Sequence, residues 1–329
     1  MNMKPPLQNT STLLKVSALT ALSFVLSACG GSSDDNVSDT AQFTFAVSDA
    51  PVTVADEVLV CFNGIELVGN SDTPVQFTIG ENSDTAVAND LCLDANGDVI
   101  PNTRGIDLLT VTGSESENLI IDASVPAGNY GQLRLDIAEG SYVLVDGEQL
   151  PLRVPSNQLR LTDLTVDIAG NVSYTLEFDL RKALVDPVGQ EGYLLKPTGL
   201  RLVDNNEVGS LTGQVAEGLL IENQCTVAPT DLSEPVAYVY LYEGADVALA
   251  DMADMGGSET QQPYASAAVT FDGAASYGFD VGFVATGDYT VAWTCDDEAD
   301  PEADDAVNFI AAQNATISAS TTPTEVVFE

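Results

Sequence analysis

Residues 41–51 read AQFTFAVSDAP, and this run decides the fold class. Phe43, Phe45 and Val47 take every second position, with small or polar residues between them. A period of two places those side chains on one face of a strand. Ser48-Asp49-Ala50-Pro51 then breaks the run, and Val58, Val60 and Phe62 repeat the alternation. Leu119–Ile121, Leu133–Ile137, Tyr142–Val145, Leu164–Ile168 and Val172–Phe178 follow, each bounded by Gly, Pro, Asn or Asp. Short strands at this spacing indicate an all-β sandwich or barrel. Asn96-Gly97, Asp146-Gly147 and Gly170-Asn171 read as hairpin turns between them. Helical signals are weak. Ile106–Thr110 and Leu180–Val185 suit single turns, and Ala245–Met255 is the longer candidate, with a composition that also suits a loop.

The second half restarts at Gly209–Val215 and continues through Ala237–Tyr242 (AYVYLY), Ala268–Phe271, Tyr277–Val281 and Val284–Val291. It closes with Ala315–Ser318 and Val326–Phe328. Asp204-Asn205-Asn206-Glu207 between the halves reads as a polar linker. Two β-sandwich domains are expected, at 41–203 and 207–329. Pro126–Leu135 and Ala285–Trp293 echo each other faintly, too weakly for a repeat.

Upstream, Lys4 and Lys15 precede the apolar stretch Val16–Leu26, which is too short to span a bilayer. It ends in Leu26-Ser27-Ala28-Cys29, followed by Gly30-Gly31. This resembles the lipobox of bacterial lipoproteins. The resemblance implies a signal peptide over 1–28, cleavage before Cys29 and acylation of that cysteine on its thiol and amine. Several acyl chains exceed the two signals needed for stable membrane anchoring. Residues 29–40 then form the lipidated cysteine and a flexible polar tether. Gly30, rather than Asp, after the cysteine implies the outer membrane.

The 329-residue chain is 45% apolar, enough for a sizeable core. Its formal net charge is −40. No acidic residue precedes Cys29, and none after Arg201 is basic, so the C-terminal third is a polyanion. Such a surface repels phosphates, which argues against nucleic acid. Self-repulsion should weaken the fold at low salt and relax at high salt, unless the acidity serves solubility alone. Removing Cys29 from the five cysteines leaves Cys61, Cys92, Cys225 and Cys295. Four cysteines allow three pairings. Cys61–Cys92 and Cys225–Cys295 are expected, since each domain then closes its own loop. Exported proteins retain such bonds.

Several separated motifs agree with one family. Val47-Ser48-Asp49-Ala50-Pro51, Ile65-Glu66-Leu67, Ile106–Leu109, Val125–Tyr130, Gln132–Leu135, Leu152–Ser156, Phe178-Asp179 and Leu195-Lys196-Pro197 occur in order. Together they resemble the bacterial family called domain of unknown function 4382, over roughly Ala41 to Val203. The resemblance implies a β-rich extracytoplasmic domain without an assigned activity. An acidic insertion around Cys92 is added to that pattern. The second half resembles the prealbumin-like sandwich of carboxypeptidase regulatory-like modules, chiefly through Gly287-Asp288-Tyr289.

The chain has no histidine, so Ser-His-Asp and Cys-His nucleophile arrangements cannot form. A Ser-Lys pair would need Lys182 or Lys196; the Lys196 stem is expected to pack while its charge answers a carboxylate. Asp94, Asn96 and Asp98 fall at the i, i+2, i+4 spacing that opens calcium loops, with Asp90 as a further donor. A plain Asn-Gly hairpin is the competing reading. The Asp296–Asp305 charge run suits a solvated loop. Tyr238, Tyr240 and Tyr242 share one strand face, as a stacking platform or as core. Trp293, beside Cys295, is expected in the core. The expected role is non-enzymatic: a membrane-anchored lipoprotein binding a protein or glycan partner. Carbohydrate binding or processing, with Ca²⁺ as a candidate cofactor, is the alternative, followed by a structural envelope spacer.

Overall fold

The computed structural model describes residues 40–50, 55–69, 72–166, 171–187, 189–297, 303–304 and 306–329. Cys29 with its lipobox and residues 30–39, Gly170 and Ile168 lie outside the described residues. Thirteen strands build the first lobe. They are β1 (Thr40–Ala50), β2 (Glu57–Val68), β3 (Val75–Thr78), β4 (Arg104–Asp107), β5 (Glu117–Pro126), β6 (Gly128–Ile137) and β7 (Tyr142–Val145). Then come β8 (Glu148–Arg153), β9 (Gln158–Val166), β10 (Asn171–Asp179), β11 (Leu184–Val185), β12 (Tyr193–Leu195) and β13 (Leu200–Asp204). A one-turn helix α1 (Leu180–Ala183) follows β10.

One sheet runs β13-β10-β1-β5, and a nine-stranded sheet is built around β2. Phe43, Phe45 and Val47 of β1 are buried in one apolar core with Val58, Phe62, Leu133 and Phe178. The period-two pattern thus becomes an inward face, as a half-buried strand requires. β1 pairs in parallel with β10, setting Ser48 beside Glu177 and Asp49 beside Phe178. On β10's other edge, β13 runs antiparallel and sets Arg201 opposite Glu177.

The second lobe holds β14 (Val208–Val215), β15 (Ala237–Glu243), β16 (Ala265–Phe271), β17 (Tyr277–Ala285), β18 (Gly287–Thr294), β19 (Ala311–Ile317) and β20 (Thr324–Phe328). Helix α2 (Glu217–Glu222) follows β14. The strands form one sheet, ordered β19-β18-β15-β16-β17-β14-β20. The sheet nearly closes on itself. Thr324 Oγ1 donates to the Thr316 carbonyl at 3.2 Å, and Gln313 Nε2 to the Val327 carbonyl at 2.7 Å. Trp293 is fully buried inside it, with its ring 6.3 Å from that of Phe328. The body is therefore all-β.

Local chemistry accounts for the connections. Asp146 and Gly147 both adopt positive φ and join β7 to β8, as a type I′ turn demands. Asp204–Glu207 is a tight turn: the Glu207 amide donates to the Asp204 carbonyl at 2.9 Å, and the Asn206 amide to Asp204 Oδ1 at 2.8 Å. The echo between the halves has a physical basis. Tyr130 donates to the Pro126 carbonyl at 2.6 Å, and Tyr289 to the Ala285 carbonyl at 3.0 Å. Each hydroxyl ties back four residues and pins a strand corner, as in other β-sandwiches. Ala245–Met255 contains only the single turn Leu249–Asp251. Ile106–Thr110 divides between the end of β4 and the turn Leu108–Thr110, where the Leu109 amide donates to Asp107 Oδ1.

Candidate functional site

The densest polar chemistry lies where the two lobes meet. Glu177 and Asp179 are two residues apart on β10, and both are buried. Their cation is Arg201, the cross-strand neighbour of Glu177, with Nη2 3.1 Å from Glu177 Oε1. The two groups form an ion pair without hydrogen-bond alignment, and Glu177 Oε2 and Asp179 Oδ1 stay unbonded. Arg201 also lays its guanidinium 4.3 Å from the ring centroid of Tyr264, from the second lobe. Such stacking holds a cation by the ring's negative face.

A second arginine repeats the device. Arg181 of α1 is buried, with its guanidinium carbon 3.9 Å above the Tyr238 ring. Its Nη2 donates to Tyr240 Oη at 3.1 Å and meets Asp297 Oδ1 at 3.5 Å. Tyr240 and Tyr242 stand edge-on to Phe309, at 5.3 and 5.8 Å, and Tyr242 donates to the Ala253 carbonyl at 2.6 Å. The tyrosine row is thus a second-lobe core that receives a first-lobe arginine, not an open platform.

Three of the family-like motifs converge here. Asp49, from the 47–51 motif, continues the inward stripe of β1 and is fully buried. Burial holds its carboxyl well above the ordinary carboxylate range, and the charges of Asp179 and Glu177 add to this; the Leu180 amide opposes it. No other side chain hydrogen-bonds to either oxygen. Glu177 is pushed up to about 7 by burial, against the pull of Arg201 and with the push of Asp179. Asp179 is raised by burial too, against Arg201, Arg181 and Lys182. The 195–197 motif supports α1: the Lys196 amide donates to the Ala183 carbonyl at 2.8 Å. At Gly199 an added Cβ would lie 2.6 Å from the Ala183 nitrogen. On another side of the junction, Gly113 and Gly282 let backbones touch; a Cβ on Gly282 would overlap the Gly113 carbonyl oxygen.

Three recesses open at this junction, and two of them are lined by members of this charged network. One, of about 970 Å³, is lined by Asp56, Asp231, Glu234, Asp296 and Asp297, with Cys225 and Cys295 in its wall and no Lys or Arg in its lining. It suits a cationic group. The other, of about 480 Å³, brings Asp179, Lys182, Arg201, Glu243 and Gln262 around Tyr264.

The remaining residues singled out in the sequence lie elsewhere. Cys61 is bonded to Cys92 and Cys225 to Cys295, with Cα separations of 5.9 and 5.4 Å. Asp94 Oδ1 accepts from the amides of Asn96 at 2.8 Å and Asp98 at 3.0 Å, and Asn96 Nδ2 donates to Oδ2 at 3.2 Å. These bonds lower the Asp94 pKa and close a tight turn between Leu93 and Val99. The Asp94 carboxylate is thus occupied by its own loop. The carboxylates of Asp254, Glu259 and Asp304 lie within 4.8 Å of one another. Within the acidic run, Asp296 accepts from Asn308 and Asp297 meets Arg181; residues 298–302 and 305 lie outside the described residues. Arg181, Arg201 and Glu177 were not singled out from sequence. The available signal was scarcity: four of only ten basic residues, Arg181, Lys182, Lys196 and Arg201, fall within positions 181–201.

Residues 40–197 match the family model described as "Domain of unknown function (DUF4382)". No curated protein matches the chain significantly. Among solved structures, the chain is similar to a crystal structure described as "a putative adhesin from Bacteroides ovatus ATCC 8483". The two are 11% identical, aligned over 94% of each chain, with a TM-score of 0.20.

Proposed function

We propose that this protein is a lipid-anchored extracytoplasmic module that binds a partner and performs no catalysis. Cys29 would supply the anchor, and the two disulfides suit an oxidising compartment. The observation that carries the reading is how the chain spends its scarce cations and aromatics. Arg181, Arg201, Tyr238, Tyr240 and Tyr264 are turned into the junction, where they hold one lobe against the other. A scaffold held this way presents fixed loops and recesses, the arrangement from which binding surfaces are commonly built.

The test uses the full chain in intact cells fed an alkyne palmitate analogue, followed by chemical cross-linking and capture. Label should enter the wild type and vanish in Cys29→Ser, while reproducible cross-linked partners appear. An unlabelled mature chain would remove the anchor, and the absence of any cross-linked partner would remove the binding role. A carbohydrate ligand is the second reading. It is favoured by the 480 Å³ recess, where amide, acidic and basic side chains surround Tyr264. Glycan-array binding lost in Tyr264→Ala but retained in Leu249→Ala would select it.

A further inference from the structure

The insertion around Cys92 departs from what solvent alone would select. Val87 is 78% exposed, Leu91 50%, Leu93 43% and Val99 50%. Leu91 and Leu93 flank buried Cys92, so both point outward. Leu93 and Val99 pair across the turn, which extends the same apolar ridge. Four of the eight large apolar side chains exposed among the described residues thus fall within 13 positions. Scattered apolar residues are ordinary on a surface; a contiguous group marks a contact site.

Much of the loop's backbone, with Asn89 and Thr103, is meanwhile hydrogen-bonded internally. Asn89 Nδ2 donates to the Gly105 carbonyl at 2.8 Å, and the Gly105 amide returns a bond to Asn89 Oδ1 at 2.9 Å. The Ile100 amide donates to the Cys92 carbonyl at 2.9 Å, and Thr103 Oγ1 to the Ile100 carbonyl at 2.7 Å. The Cys61–Cys92 bond staples the loop to β2. Its shape is therefore paid for before anything docks, which favours affinity.

Charge identifies the occupant. Residues 81–103 carry Glu81, Asp84, Asp90, Asp94 and Asp98 and no Lys or Arg; Arg104, which donates to the Val87 carbonyl at 3.3 Å, is already paired with Glu117. Beside the ridge lies a recess of about 650 Å³, lined by Val99, Ile100 and Ile137 and by the acids Asp94, Asp136 and Glu139. We propose that this stapled insertion is a docking face for a protein that presents an apolar patch flanked by lysine or arginine. The proposal rests on the binding role and names the surface for it. Apolar contact would seat on Leu91, Leu93 and Val99, and a basic side chain would enter the acidic recess.

The test titrates the full chain, in detergent, with two labelled synthetic peptides of equal length and charge. One is an amphipathic leucine–lysine helix; the other replaces its leucines with glycine. The wild type should bind the first at least about tenfold tighter, a difference of roughly 1.4 kcal/mol. The variant Leu91→Ser/Leu93→Ser/Val99→Ser should bind both peptides equally, at the wild-type level for the glycine–lysine peptide. Equal binding of both peptides by the wild type, or an unchanged triple variant, overturns the proposal. So does a wild-type dimer that the triple variant dissolves, or flotation with phosphatidylcholine vesicles that the variant loses. The same variant in the cell cross-linking experiment separates the two readings. If it captures the same partners as wild type, the binding role stands and this face is wrong; if neither chain captures anything, the role itself fails.

Discussion

The junction between the lobes and the stapled Cys92 loop invert the usual partition of residues in opposite directions. At the junction, carboxylates and guanidiniums are buried; on the insertion, leucine and valine face solvent. Both arrangements cost stability considered alone. Burying charge is repaid only by close partners, and exposed apolar groups forgo the transfer energy that a core would give. The difference lies in what the cost serves. Junction carboxylates meet arginines that also reach tyrosines and Asp297 of the other lobe, whereas the apolar groups of the stapled loop face outward. Mutations should therefore act on stability at the first region and on binding at the second.

The largest effect is expected at Arg201. Arg201→Ala leaves Glu177 and Asp179 buried without their nearest cation and removes the stack on Tyr264, so about 3–5 kcal/mol should be lost in urea unfolding. Exchanging Glu177 for Leu and Arg201 for Met together should recover much of it, because a matched apolar pair carries no desolvation cost. A loss under about 1 kcal/mol in the single variant would break the comparison, since exposed ion pairs contribute that little. Next comes Cys61→Ala/Cys92→Ala. The bond closes a 31-residue separation, and its loss should cost roughly 3–4 kcal/mol by the loop-entropy relation. It should also free the insertion, so affinity for the leucine–lysine peptide should fall in the refolded variant.

A pH series sharpens the junction further. Glu177 titrates at about 7 in the folded protein against an ordinary 4.5. Between those values the folded state holds more protons than the unfolded one, so stability rises as pH falls through that window. Asp49 and Asp179 act in the same direction. Asp94, Asp231 and Asp272 oppose it, since their lowered pKa values give stability that fades as pH falls below the ordinary range. The melting temperature should rise by roughly 2–8 °C from pH 7.5 to pH 5, and Glu177→Gln should flatten that slope. A wild-type midpoint that falls over this range would contradict the buried network. The smallest effect belongs to the insertion: Leu91→Ser/Leu93→Ser should move stability by no more than about 0.5 kcal/mol. A larger loss would mean that these side chains serve the core.

Much of the fold was legible because backbone alternation is a local signal. Phe43, Phe45 and Val47 declare an inward face without reference to any distant residue. The short strands β3, β11 and β12 and the helix α2 gave no such signal. They are too brief for a period, and neighbouring elements hold them in place. The site was harder to see. Asp49 and Asp179 could be marked as motif residues, yet nothing in the neighbouring sequence sets Glu177, Arg181 and Arg201 apart from other charged residues.

Composition and periodicity were enough to establish an acidic, all-β body, because strand alternation and charge are properties of neighbouring residues. Which charges would be buried depended on contacts between positions far apart in the chain, such as Arg181 with Tyr240 and Arg201 with Tyr264. Desolvation and Coulomb energy are set by the distances that folding creates, and no local pattern of residues encodes those distances.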